Sequence, residues 1–293
     1  MTPPWHAPKQ EQFSADRYGI VGRDPLTPSP VHADVSRAER APLPELRERV
    51  RRIERPAAAV HGVTPFGIAA IDRALPGGGF ARGALHELLG AGGDEEDAAL
   101  TAVFAAHVLG RLTRTEEGMV LWCLSRSDLY GPGLAAQGLD PRRVVLVRAP
   151  RDAEILWAME DGLRSPGILA VVGEIGSLPA VASRRLQLAA ERSGITALLL
   201  RRWRDGAQAA RERALPNAAV TRWRIAALPS RPVRGEPGIA RPRWRIELLR
   251  CRGREPASWE MEVPDATDHV SLSAVLADRP AASVAAEQFR LAS

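Results

Sequence analysis

Apolar positions along this chain follow two rhythms, and the change between them divides the sequence. In the middle, short continuous apolar runs at residues 84–89, 119–124, 144–147, 168–172 and 195–200 read as buried strands. Between them lie stretches of helical spacing. Residues 95–109 are apolar on nearly every side, 128–137 end at Gly138, and 151–163 place Ile155, Leu156, Met159 and Leu163 on one side. A further helix is predicted at 178–191. Such an alternation predicts an α/β fold whose mostly parallel sheet is covered by helices on both faces. After a short polar helix or loop at 206–215, the period becomes two. Over 221–227, Thr221, Trp223 and Ile225 share one face and Arg222 and Arg224 take the other. Over 242–249, Trp244, Ile246 and Leu248 oppose Arg243, Arg245 and Glu247. The repeated tetrapeptide RWRI at 222–225 and 243–246 predicts two antiparallel neighbours that extend the sheet at one edge, with 259–263 as a candidate third.

The flanks differ. Residues 1–30 are rich in Pro, Ser, Gly and charge without any period, which predicts a disordered tail. Leu43, Leu46, Val50 and Ile53 then fall at the spacing of a short amphipathic helix, followed by a linker at Pro56 and three alanines. One main domain is expected over 59–264, and 265–293 are expected to form a C-terminal tail. The domain opens with a turn at Thr64 and Pro65 and a short helix carrying Phe66, Ile68, Ile71 and Leu75, ended by Pro76, Gly77, Gly78 and Gly79.

The strand at 84–89 runs through Gly90, Gly92 and Gly93 directly into a helix, the shape of a phosphate-binding loop. A working loop has the form G-x-x-x-x-G-K-[ST]; its backbone N–H groups cradle phosphate, its lysine reaches the outer phosphates and its hydroxyl holds magnesium. Counted from Gly90, the second glycine is Glu95, the lysine is Glu96 and the hydroxyl is Asp97, with Asp94 just before. Four carboxylates stand where triphosphate charge would go, in a helix N-terminal field that favours anions. The only lysine is Lys9, near the N-terminus. An ordinary strand–helix turn with acidic capping is the alternative reading of the same loop. A magnesium-holding acid would be expected at the end of the strand over 168–172. That position is Gly173, with Glu174 one residue later and so turned to the other face. Asp128, after the strand over 119–124, reads as a helix N-cap. No G-x-S-x-G elbow is present, and Ser125 and Ser127 have no nearby His. The expectation is a nucleotide-binding architecture without nucleotide, cofactor or catalysis.

Composition adds little until charge is mapped. The 293 residues are 45% hydrophobic, enough for one large domain, and no run of about 18 apolar residues suggests a membrane span. The N-terminus lacks the apolar core of a secretory signal. Cys123 and Cys251 each sit in an apolar run outside any C-x-x-C, which predicts buried free thiols in a reducing cytoplasm. The six His show no metal-ligand spacing. The net charge of +5 hides an asymmetry: residues 201–254 hold 15 Arg against four carboxylates, a net +11, and the remainder carries −6. Pairing the RWRI strands puts Arg222, Arg224, Arg243 and Arg245 on one face, where like charges repel and an anionic partner would be favoured. Trp223 and Trp244 point the other way, into the core. Arg201, Arg202, Trp203 and Arg204 follow a buried strand at the sheet's carboxyl edge, where α/β proteins place ligands, so Trp203 is the candidate contact residue.

The entry segment TPFGIAAIDRALPGGGFARGALHELLGAGG resembles the start of the RecA core. Thr64, Gly67, Ile71, Asp72, Leu75, Gly78, Gly79, Phe80, Gly83 and Gly90 hold matching places. With the loop residues and strand-end acid replaced, the chain most resembles the ImuA family, the RecA-like proteins of bacterial damage-inducible mutagenesis cassettes, over roughly residues 61–264. The resemblance implies a RecA-like sheet and a non-enzymatic accessory role in SOS mutagenesis and translesion synthesis. It implies work with an ImuB-like Y-family protein, an error-prone C-family DNA polymerase and RecA, in a cytoplasmic protein that is nucleoid-associated during DNA damage. Single-stranded DNA binding by the basic end, and a cell-division inhibitor like SulA, which shares the fold, are the alternatives.

Overall fold

The computed structural model describes residues 57–92, 94–230, 241–263 and 272–276. The amphipathic helix expected at 43–53 and the N-terminal tail lie outside the described residues. The entry segment contains α1 (Ala57–His61), β1 (Val63–Thr64), α2 (Ala69–Ala74) and β2 (Phe80–Ala81), with β1 and β2 paired antiparallel. Its sequence signature has a local cause. Both Asp72 carboxylate oxygens face back, accepting from the Phe66 and Gly67 amides at 2.6 and 3.0 Å. Gly67 has φ 94°, where a side chain is strained, and an added Cβ would also meet the Arg111 guanidinium.

The chain continues through β3 (Leu85–Gly90), α3 (Asp94–Thr115), β4 (Met119–Leu124), α4 (Gly131–Ala136), β5 (Val144–Arg148) and α5 (Asp152–Gly162). It then forms β6 (Ile168–Ile175), α6 (Ala180–Ser193), β7 (Thr196–Arg201), α7 (Gly206–Ala214), β8 (Thr221–Leu228), β9 (Arg243–Cys251), β10 (Ala257–Glu262) and β11 (Leu272–Leu276). These strands from β3 onward make a nine-stranded sheet in the order β11-β10-β9-β8-β3-β7-β6-β4-β5. From β8 to β5 every pairing is parallel; from β8 to β11 every pairing is antiparallel. The RWRI strands are antiparallel neighbours, as their pattern predicts, and residues 257–262 add the expected third strand. The reading of 265–293 as a tail needs correction at one place, because Leu272–Leu276 pairs antiparallel with β10.

All six residues of β3 are buried, which fits a central strand covered on both sides. On the α3 side the core joins Leu88, Trp122, Val172 and Leu198 to Phe66, Phe104 and the indoles of Trp223, Trp244 and Trp259. Phe80 stacks on Trp223 with ring centroids 5.0 Å apart. The opposite side packs Leu85, Cys123, Val171 and Leu199 beneath Met159 of α5 and Leu186 of α6. Cys123 and Cys251 are free and buried, and burial pushes the Cys123 thiol up to about 12. No described helix is long and apolar enough to cross a membrane.

Candidate functional site

The glycine turn connects β3 to α3 at the carboxyl ends of the parallel strands, as the phosphate-loop pattern requires. Its groups at Gly90, Ala91 and Gly92 are engaged within the chain. Gly90 ends β3, and the buried Asp97 sits one turn inside α3 with its Oδ2 accepting from the Gly92 amide. A Cβ on Gly90 would lie 2.5 Å from the Asp97 Cβ, so the strand end can approach the helix only as glycine. The Gly90 and Ala91 carbonyls accept from Arg213 Nη2 of α7 at 2.8 and 3.0 Å, and the Ala91 amide donates to the Ile225 carbonyl. Gly93, and the side chains of Asp94, Glu95 and Glu96 in the first turn of α3, lie outside the described residues.

Arg213 is held from above by an indole. Trp203 is only 3% exposed; its Nε1 donates to the Gly176 carbonyl at 3.0 Å, and the guanidiniums of Arg213 and Arg201 lie 4.9 and 5.5 Å from its ring centroid. Burial, and then the charge of Arg224, pull Arg213 below the ordinary arginine range, while Asp97 acts in the opposite direction. The expectation that Trp203 is a surface contact is therefore corrected. The basic segment folds back and plants Trp203 on the strand ends as packing.

Arg201 and Arg202 are also turned inward. Arg201 ion-pairs with Glu212 at 2.6 Å and lies 3.7 Å from Glu87. Burial raises the Glu212 carboxyl, but hydrogen bonds from Ser177 and Arg201 and the Arg201 charge outweigh it, leaving it below the usual carboxylate range. Arg202 bridges Glu174 and Asp128, each at 2.6 Å. Arg204 remains exposed.

The strand β6 runs to Ile175, so Gly173 and Glu174 both lie inside it rather than past its end. Gly173 faces α5, where a Cβ would lie 2.1 Å from the Met159 sulfur. Glu174 faces the α3 side, the same side as Gly90 and Asp97, and stands two strands from β3, about 10 Å by strand spacing. Its carboxylate accepts from Trp122 Nε1 at 2.7 Å and from Arg202. A guanidinium and an indole thus occupy this acid on the loop's side of the sheet. No group of three or more His, Cys, Asp or Glu that could hold a metal occurs among the described residues.

The arginine face of β8–β10 exists, and carboxylates share it: Glu247, which the pattern already put there, and Glu87 and Glu260 from neighbouring strands, which it did not. Arg224 makes a two-pronged pair with Glu247 at 2.5 and 2.7 Å. Arg243 and Arg245 both reach Glu260 on β10, at 3.2 and 2.8 Å. Arg222 pairs with Glu87 of β3 at 2.5 Å. A register shift between Arg222 and Trp223 sets Arg222 directly opposite Arg250, whose guanidinium is drawn to the Asn217 side chain at 2.7 Å. Of the four predicted face arginines only Arg245 is exposed; the other exposed arginines of residues 201–254 are Arg204, Arg211, Arg241, Arg252 and Arg254 among the described residues.

No family model matches the chain. Two relatives named Protein ImuA, from Caulobacter vibrioides strains NA1000 / CB15N and ATCC 19089 / CIP 103742 / CB 15, are each 40% identical to it over 206 residues, covering 70% of this chain and 84% of theirs. The chain belongs to the ImuA family. The residues that organise this ImuA-family site and escaped the sequence reading are Glu87 and Arg213. Glu87 is 1% exposed and joins Arg222, Asn217 and Arg201; Arg213 closes the loop carbonyls from 123 positions away. A charged residue inside the apolar run 84–89 was the available signal for Glu87. Nothing local to Arg213 marks it.

Proposed function

We propose that this ImuA-family chain is a non-enzymatic adaptor of error-prone translesion synthesis in the DNA-damage response. It uses a RecA-like body to dock an ImuB-like Y-family protein, an error-prone C-family DNA polymerase and RecA. The observation that carries this reading is the self-contained loop end: the Gly92 amide is engaged by Asp97, and the strand-end carbonyls by Arg213. With no lysine outside position 9, the body also lacks the lysine by which such a loop reaches the outer phosphates. A fold kept without its chemistry is useful as a surface.

The test is size-exclusion co-elution of the full chain with the ImuB-like protein of its own organism, with and without Mg-ATP. Equal complex in both conditions is the expected result. No complex, or one that forms only with nucleotide, removes the adaptor reading. Deleting residues 201–293 is not a usable control, because Trp223, Trp244 and Trp259 of β8–β10 are part of the main core.

The exposed arginines favour one second reading, single-stranded DNA binding. It requires an affinity that falls steeply with salt as phosphates shed condensed ions, about 0.7 in log–log slope per phosphate contacted. An affinity that is flat with salt removes it.

A further inference from the structure

The outer side of α5 and α6 carries a feature that neither the loop end nor the arginine strands explain. Both helices bury one stripe against the sheet, Ile155, Leu156 and Met159 from α5 and Leu186, Ala189 and Ala190 from α6. Facing outward, Trp157 is 69% exposed and Val181 74% exposed. The other indoles of the described residues, at 122, 203, 223, 244 and 259, are all buried. Helical spacing puts Trp157 and Glu160 along one edge of α5, with Arg164 in the turn just past its end, and Val181, Arg185, Leu188 and Arg192 along one edge of α6. These edges face each other, because the buried Glu160 carboxylate accepts from Arg164 at 2.5 Å and also pairs with Arg185. The result is a trough about 16 Å long by helical rise. Beyond the ion-pair bridge it deepens into a groove of about 380 Å³ with Leu163, Leu188 and Ala189 in its floor.

We infer that this trough docks an acidic segment of a partner protein through a large apolar anchor flanked by carboxylates. This rests on the adaptor reading. Charge selects the occupant: the groove is lined by three arginines against the single Glu160, an excess of two positive charges around an apolar floor. Exposed Trp and Arg at the margin of a pocket are the side chains that concentrate binding energy in protein interfaces. Nucleic acid fits less well, since a carboxylate lies at the centre of the trough and phosphate would meet it together with leucine and alanine.

The experiment uses the full chain and the purified ImuB-like protein. Trp157→Ala and Arg192→Glu are each expected to weaken the complex by about tenfold or more, with an unchanged urea midpoint because both sites are exposed. Arg252→Glu, on the β9–β10 turn, is expected to leave affinity unchanged. Acrylamide quenching assigned to Trp157, by difference from Trp157→Phe, should fall on binding. Equal affinity of both trough variants overturns the inference and leaves the adaptor reading standing; no complex with the wild-type chain overturns both. Variants that keep the protein complex but lose single-stranded DNA would mark a phosphate patch and overturn it. Trp157 already shielded in the free chain also overturns it, in favour of one of the chain's own segments if concentration has no effect and of a second copy if shielding grows with concentration.

Discussion

At the end of β3, four acidic residues follow a glycine turn; on β8 and β9, four arginines alternate with indoles and isoleucines. Counted along the chain, one region is an anionic patch and the other a cationic one. In the fold, the described charges of both are paired within the chain, although Arg245 stays exposed. Asp97 turns onto the Gly92 amide beside Arg213, and Arg222, Arg224, Arg243 and Arg245 turn onto Glu87, Glu247 and Glu260. The difference lies in who supplies the partner. The loop's acid is satisfied chiefly by its own backbone, a short-range arrangement that helix capping anticipates. The arginines are satisfied by side chains from neighbouring strands, which only the sheet order brings near. Net charge in a segment is thus a poor guide to presented charge when the segment is a strand interior to a sheet.

The largest effect expected on breaking this arrangement comes from Glu87. Glu87→Ala leaves the Arg222 guanidinium without its buried partner, and Arg201 with Glu212 alone, and should cost about 3–5 kcal/mol in urea unfolding. A loss below about 1 kcal/mol would mean that the network is not holding the two regions together. His86, on the other face of the same strand, sharpens the contrast because it is buried neutral, hydrogen-bonded to Thr221 and Ala81, with its pKa pushed down to about 4. The unfolded imidazole titrates near 6.5, so between these values the unfolded chain binds more protons. Stability from this group is full above about pH 6.5 and is lost as pH falls toward 4, by roughly 3 kcal/mol. His86→Gln should flatten that slope between pH 7.5 and 4.5; an unchanged slope would assign it elsewhere.

Asp97→Ala removes the loop's own carboxylate and should cost about 1–2 kcal/mol, in the range of a lost helix cap. The smallest effect is expected at the partly exposed Arg224–Glu247 pair, where Arg224→Ala should cost less than about 1 kcal/mol, and less again at high salt. A larger penalty at Arg224 than at Glu87 would reverse the comparison.

The sheet was largely legible because its signals are periodic. Continuous apolar runs gave the parallel strands, and the RWRI repeat gave the antiparallel edge. Strand β11 was missed because its five residues were read together with the aperiodic stretch around them, although Pro264, Asp265, Thr267 and Asp268 just before are turn-forming residue types. The loop was legible as geometry, since glycines and a following helix are local. Trp203 was misplaced because an indole among arginines after a strand looks like a contact residue. Its burial depends on Arg213 and Gly176, which the sequence sets 10 and 27 positions away. Glu174 was read as turned away from the loop because Gly173 was taken as the strand-end position; β6 runs on to Ile175, and it is Gly173 that faces α5 while Glu174 shares the loop's side.

The central claim is that this RecA-like body works without nucleotide, and the most direct measurement is thermal unfolding of the full chain against increasing Mg-ATP. A ligand present at one hundred times its dissociation constant stabilises a protein by about 2.7 kcal/mol, which would raise the midpoint by roughly 5 °C or more in a domain of this size. No shift up to millimolar Mg-ATP is the expected result. A saturable, magnesium-dependent rise of that size would contradict the claim and make the glycine turn a working nucleotide site.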